Sequence, residues 1–295
     1  MIGGEPGRDF DARLVAWAGA NELIRASLLT STRAMPSGSV DLLSDYDVIL
    51  YVSDIEPFAD RDRWLPALGP VLVRMSPIEP RRFDGLAGYS AGVIYQDGTK
   101  VDFNVAPVAL LRRIVEAAEL PAELDNGYRV LLDKDGLAGR LKAPSHRAYI
   151  PEKPTEERYL DVVEEFWWET TYVAKYLWRD ELVAARSVLD AVLRVELLQP
   201  MLEWLIEVEH GWSVRPGRLG RPFKRYLRPE VWAQLEATYA GPGIEENWRA
   251  LWRTIELFRG AAVTVGAALG YGYPHELDER MMGYVRGIRA LPARR

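Results

Sequence analysis

The apolar residues of this chain change their period once, and that change limits what it can fold into. Up to about Arg140, short apolar and β-branched runs alternate with helical stretches. From Thr155 onward almost every apolar residue falls at helical spacing. A two-residue period marks a strand and a 3.6-residue period a helix. The first part therefore reads as a mixed sheet with flanking helices and the second as an all-α bundle. Between them "KAPSHRAYIPEKPTEE" carries Pro144, Pro151 and Pro154, which reads as a linker. The expected fold class is α+β, with domains over 1–143 and 155–295 joined by a linker over 144–154. A chain of 295 residues is long enough for two ordinary domains.

In the first part "DARLVAWAGANELIRA" has a helical period, while "SLLTS" and "YDVILYV" read as strands. "GVIYQDGTKVDFNVAP" reads as a hairpin turning at Asp97-Gly98, a dipeptide that tolerates a type I′ turn. "VLVRM" and "YRVLLDKDG" are further strand candidates. In the second part the helical stretches are Thr155–Arg179, Glu181–His210 with a kink or break near Pro200, Pro229–Tyr239, Ile244–Leu269 and Glu276–Arg289.

Several chemistries are excluded. No cysteine is present, so there is no disulfide framework and no thiolate metal site. His146, His210 and His275 match no zinc spacing. No nucleophile elbow and no Walker-type phosphate loop occurs. A net charge of −6 argues against nucleic acid as a partner. No apolar run is long enough to span a membrane, and "MIGGEPGRDF" lacks the marks of a signal peptide. The expected location is the cytoplasm. Residues 156–209 hold 13 acidic and 5 basic side chains. Such a run is either a solvated helix face or a surface that attracts a cation. Trp167, Trp168, Tyr172 and Tyr176 fall at helical spacing, as core packing or as a stacking surface.

"SDYDVILYV" sets Asp45 and Asp47 two apart at the start of an apolar strand, hence on one face. Like charges so close repel, and a cation makes the arrangement worth keeping. Downstream "KVDFNV" alternates, with Val101, Phe103 and Val105 on one face and Lys100, Asp102 and Asn104 on the other. If the two strands are neighbours, a third carboxylate joins the pair. Hard oxygen ligands in that number suit Mg²⁺. Upstream, the small residues Ser31 and Thr32 follow a strand and offer hydroxyls and N–H groups to phosphates. Strand, small-residue turn, D-x-D and a later Asp is the layout of a nucleotidyltransferase fold.

The sequence resembles the aminoglycoside 6-adenylyltransferases, the streptomycin-adenylylating branch of the nucleotidyltransferases, from about Phe10 to Arg289. The resemblance is carried by "SDYDVILYVSDIEPF", "VDFNVAP", "VLLDKDG", "EEFWWETTYVAKYLWRDEL", "ENWRALWRTIELFRGAA" and "YGYP". It implies that Asp45, Asp47 and Asp102 hold Mg²⁺ at the phosphates of ATP, and that Lys175 meets the triphosphate. Lys175 reads equally as a helix-surface lysine. The family usually has Gly-Ser-Arg where this chain has Ser31-Thr32-Arg33. Arg33 is then a phosphate ligand or a structural ion-pair partner.

The expected reaction moves AMP from ATP to a hydroxyl of a cationic aminoglycoside. Asp102 is the candidate base, with Glu165 or Glu169 as competitors. The acidic helical segment would face the guanidinium groups of the acceptor. Two alternatives stay open: a nucleotidyltransferase for another small molecule or a protein, and a non-catalytic nucleotide-binding relative. Oligomeric state is not legible.

Overall fold

A computed structural model describes residues 9–35, 40–75 and 79–292 of the chain. The N-terminal stretch 1–8, where the absence of a signal peptide was read, lies outside the described residues. The chain divides into two compact units, Met1–Tyr149 and Ile150–Arg295.

Unit 1 begins with helix α1 (Phe10–Ala20) and strands β1 (Ile24–Thr30) and β2 (Tyr46–Val52). Strands β3 (Val71–Arg74), β4 (Glu79–Phe83), β5 (Leu86–Tyr95) and β6 (Lys100–Pro107) follow. Helices α2 (Val108–Glu116) and α3 (Ala122–Asp125) and strand β7 (Tyr128–Asp133) complete it. The described strands form one sheet in the order β3-β5-β6-β2-β1-β7, with β4 paired to β5. Only the β2–β6 pair is parallel; the other described pairs are antiparallel.

Both faces of β2 are covered, which is why it reads as a nearly unbroken apolar run. Tyr46, Val48, Leu50 and Val52 pack with Phe10, Leu14, Trp64 and Phe103 on one face. Ile49 and Tyr51 pack with Leu110, Leu111, Ile114 and Leu124 of α2 and α3 on the other. Phe103 meets the Trp64 ring edge-on at 5.0 Å and is almost fully buried. Its truncation to alanine costs about 3–5 kcal/mol. The alternation of β6 therefore has a physical cause: its odd residues fill this core, and its even residues face the same side as Asp47.

Two local expectations change. The helical period over 11–26 is cut at Asn21, whose side chain accepts a 3.0 Å bond from the Leu23 N–H and turns the chain. Ile24 to Ala26 then join β1. The Asp97-Gly98 hairpin is not type I′, because only Gly98 takes a positive φ, 87°. Tyr95 O accepts from Gly98 N at 2.9 Å, and the Asp97 carboxylate accepts from Thr99 N at 2.9 Å, closing the turn from within.

Unit 2 is helical. Helix α4 (Glu156–Trp178) is capped by Thr155, whose hydroxyl accepts from Arg158 N at 3.2 Å. Helices α5 (Leu182–Arg186) and α6 (Gln199–Glu209) are joined without a break by a π-helical stretch, Ser187–Leu198. Pro200 lacks an N–H, and its ring crowds the carbonyl one turn back. The wider turns ahead of it keep the helix continuous where a break was one expectation. Short helices α7 (Phe223–Tyr226) and α8 (Pro229–Glu236) lead to α9 (Ile244–Leu269) and α10 (His275–Ala290). Phe166 of α4 stacks on Phe258 of α9 at 3.7 Å. A Cβ at Gly266 would stand 2.6 Å from the Tyr159 hydroxyl, so glycine allows α4 and α9 to approach closely.

Candidate active site

One end of the unit 1 sheet is polar. The parallel register of β2 and β6 sets Asp47 directly opposite Asp102, and the antiparallel register of β1 sets Thr30 opposite Asp47. Asp45, just ahead of β2, shares the face of Asp47. The strands' apolar ends are clamped by α2, while their polar ends stay half-buried. Burial, opposed by a hydrogen bond from Ser31, then the nearby charges of Asp102 and Asp45, push the Asp47 carboxyl above its ordinary range.

β1 stops at Thr30, and the tight turn Ser31–Ala34 follows. Ser31 takes the left-handed backbone, φ 59°, at the position where glycine was the family expectation. Its side chain bonds the Asp47 carboxylate. Among the described residues Arg33 makes no ion pair, and its guanidinium turns in on the backbone. Its Nε donates to Asp45 O at 3.1 Å and to Ser44 O at 3.2 Å, and its Nη2 donates to Ser44 O at 2.7 Å. The guanidinium also lies 4.0 Å from the centre of the Tyr46 ring. It fixes the backbone that presents Asp45 and Asp47.

Lys100 reaches into the same cluster. Its ammonium is 2.5 Å from Asp45 Oδ2 and 3.5 Å from Asp102 Oδ2. The bond to Asp45, and then the Asp102 charge, hold the lysine above its ordinary pKa against the opposing effect of burial. Among the described residues, no three acidic or histidine side chains close on a common point ready to hold a metal as they stand. The chemistry of the donor set nevertheless fits a divalent cation. Three carboxylates share one sheet end, the charges of Asp102 and Asp45 add to burial in raising the Asp47 pKa, and a positive group already bridges two of them.

The sequence reading missed Glu123. It sits on the four-residue α3, and only packing brings it over the sheet. Its carboxyl meets Thr30 and Asn104 and feels the charge of Asp47. Much of the residue is exposed, but enough protein surrounds the carboxyl for desolvation, then Asp47, to push its pKa up. The signal available in sequence was weak: a lone Glu after Pro121.

The remaining expected residues lie in unit 2. Lys175 is half-buried between the rings of Tyr172, at 5.4 Å, and Tyr284, at 5.9 Å. Glu165 is exposed, and Glu169 is half-buried. Burial, then the charges of Glu165 and Glu196, raise the Glu169 pKa, so the structure brings these acids together. The aromatic stripe divides: Trp167 is core, and Trp168 is 63% exposed. Trp168 borders a cleft of about 760 Å³ that also takes Glu164, Tyr273, His275, Glu276 and Arg280. No helix among the described residues is long and apolar enough to cross a membrane.

A family model described as "Streptomycin adenylyltransferase" matches residues 8–288. An aminoglycoside 6-adenylyltransferase of Bacillus subtilis (strain 168) is 33% identical over 270 residues, 91% of this chain and 92% of that protein. An aminoglycoside 6-adenylyltransferase of Campylobacter jejuni is 29% identical over 270 residues, 91% of each. The crystal structure of an aminoglycoside 6-adenyltransferase from Bacillus subtilis is 28% identical, covers 95% of this chain and 97% of that one, and superposes with a TM-score of 0.48.

Proposed function

We propose, because this chain belongs to the streptomycin adenylyltransferase family of nucleotidyltransferases, that it moves AMP from ATP to a hydroxyl of a streptomycin-like aminoglycoside. The acceptor oxygen bonds to the α-phosphorus, the α–β bridging P–O bond breaks, and pyrophosphate leaves. The observation that carries this reading is the in-register pair Asp47 and Asp102 beside Asp45 and the Ser31-Thr32 turn.

Asp45, Asp47 and Asp102 would hold Mg²⁺. When bound, the ion supplies Lewis-acid stabilisation of charge on the phosphates. Ser31 and Thr32 face the phosphate chain, and Ser31 orients Asp47 through its hydroxyl. Arg33 acts through the backbone of Ser44 and Asp45. Lys175 is assigned to phosphate charge. Asp102 takes the acceptor proton, with Glu165 or Glu169 as the competing base. The acceptor's cationic groups are matched to the acids of α4. The cleft beside Trp168 adds an indole face and the carboxylates of Glu164 and Glu276, offset by Arg280.

The test is pyrophosphate release from ATP and Mg²⁺ across a panel of acceptors. Release with streptomycin is expected. Release only with a non-aminoglycoside acceptor moves the protein to another nucleotidyl transfer. ATP binding without turnover on any acceptor would overturn the enzymatic reading.

A further inference from the structure

Lys100 has no part in the reaction as drawn above, yet its ammonium lies inside the cluster assigned to the metal. It stands two residues before Asp102 on β6, so the strand itself places both on one face. It touches Asp45 at 2.5 Å and Asp102 at 3.5 Å, two of the three carboxylates. The side chains of Lys100, Asp45 and Asp102 are 43%, 37% and 49% exposed. Ion pairs this open are screened by water and individually weak. An ammonium is a compact, hydrated point charge on a flexible stem, with no bidentate grip on its partners. Three carboxylates at one sheet end repel one another unless something positive stands among them. In this structure that positive group is Lys100.

We propose that Lys100 is a resident counter-cation. It holds Asp45 and Asp102 together in the metal-free protein, and a divalent cation displaces it. The inference rests on the assignment of Asp45, Asp47 and Asp102 to a metal. A divalent ion held by Asp45 and Asp102 would compete with the ammonium for these carboxylates. The released side chain has somewhere to go. With Arg33, Ser44 and Thr99 it borders a hollow of about 220 Å³ on the flank of Asp45. Lys100 is thus a positioning residue that tunes metal affinity.

The test is a titration of the metal-free full-length protein with Mn²⁺, followed by electron paramagnetic resonance at low salt. Wild type, Lys100→Met, Lys100→Gln and Lys100→Arg are compared, and each is melted with and without Mg²⁺. Lys100→Met and Lys100→Gln are expected to bind Mn²⁺ about fivefold more tightly, the scale set by losing two weak competing ion pairs. Without metal they should melt below wild type, and Mg²⁺ should raise their melting temperature by more. Lys100→Arg keeps a competing cation and should stay near wild type. Equal or weaker Mn²⁺ affinity in Lys100→Met and Lys100→Gln, with wild type binding normally, overturns the role of Lys100 alone. No Mn²⁺ binding by any of the four proteins overturns both this role and the metal assignment beneath it.

Discussion

Ser31 donates its hydroxyl to the carboxylate of Asp47 from a left-handed backbone with φ 59°. The two facts pull in opposite directions. A Cβ in that region is strained by about 1–2 kcal/mol, whereas the hydrogen bond opposes the upward push of burial on the half-buried Asp47 carboxyl. The chain keeps a strained residue and gains an orienting contact at the metal-binding candidate.

Exchanging Ser31 separates the two effects. Ser31→Gly should leave thermal stability within about 1 kcal/mol of wild type, because strain relief offsets the greater backbone entropy of glycine. Apparent ATP affinity should hold or improve. Ser31→Ala keeps the strain and loses the bond, and should be less stable by about 1 kcal/mol. A marked rise in the Michaelis constant for ATP in Ser31→Gly, at unchanged melting temperature, would show that the hydroxyl itself serves the nucleotide.

Arg33 should behave as a brace. Lysine cannot reproduce its forked grip on two carbonyls or its stack on Tyr46. Arg33→Lys is expected to lose about 1–2 kcal/mol of stability. Its kcat should fall at least ~10-fold, equivalent to ~1.4 kcal/mol in the barrier, while KM for ATP barely moves. A rise confined to the KM for ATP would instead make Arg33 a phosphate ligand.

Asp47→Asn should abolish transfer and spare the fold. The amide keeps the shape and loses the charge, for a fall of at least ~100-fold in kcat, or ~2.7 kcal/mol. Metal-free stability should hold or rise, because a carboxylate crowded by Asp102 and Asp45 is gone. Near wild-type turnover at saturating Mg²⁺ would remove Asp47 from the metal site.

The site was legible where chemistry and period coincide. Asp45 and Asp47 stand at the start of an apolar strand, and Asp102 stands on the polar face of an alternating one. Their adjacency needed only that β2 and β6 pair, and they do, with Asp47 opposite Asp102. The helices of unit 2 were legible because their apolar stripes are long. What escaped depends on contacts between distant segments. Glu123 joins the cluster through the packing of α3. Lys100 reads as an ordinary polar-face residue until its neighbours are placed. The left-handed Ser31 has no signature in the serine itself, and only the glycine usual there in the resembling family points to it. Asn21 did carry a turn signal, but the helical period around it masked the break.

Glu123 predicts a pH dependence of stability. Its carboxyl has a raised pKa in the folded protein, so the fold favours its protonated form. The penalty for ionising it is absent below the unfolded value, near 4.5, and complete above the raised folded value. Stability therefore falls as pH rises through that window. Glu123→Gln should stabilise the metal-free protein at pH 7 and leave it unchanged at pH 3.5. Chemical denaturation at the two pH values decides it, and an equal shift at both would assign the effect to packing.

The acids of α4 predict how the acceptor binds. Glu165 and Glu169 are four apart and share a helix face, and Glu196 adds its charge to Glu169. A polycation placed there relieves that repulsion and is drawn in from a distance. At about 0.15 M salt the screening length is ~8 Å, so distant attraction fades while direct pairs persist. Streptomycin affinity should therefore drop with added salt without vanishing. Glu165→Gln and Glu169→Gln should each weaken streptomycin more than ATP. Calorimetric titration at low and high salt measures both. Salt-independent affinity, together with wild-type binding by both variants, would reduce the acidic helix to a solvated surface and move acceptor recognition to the cleft beside Trp168.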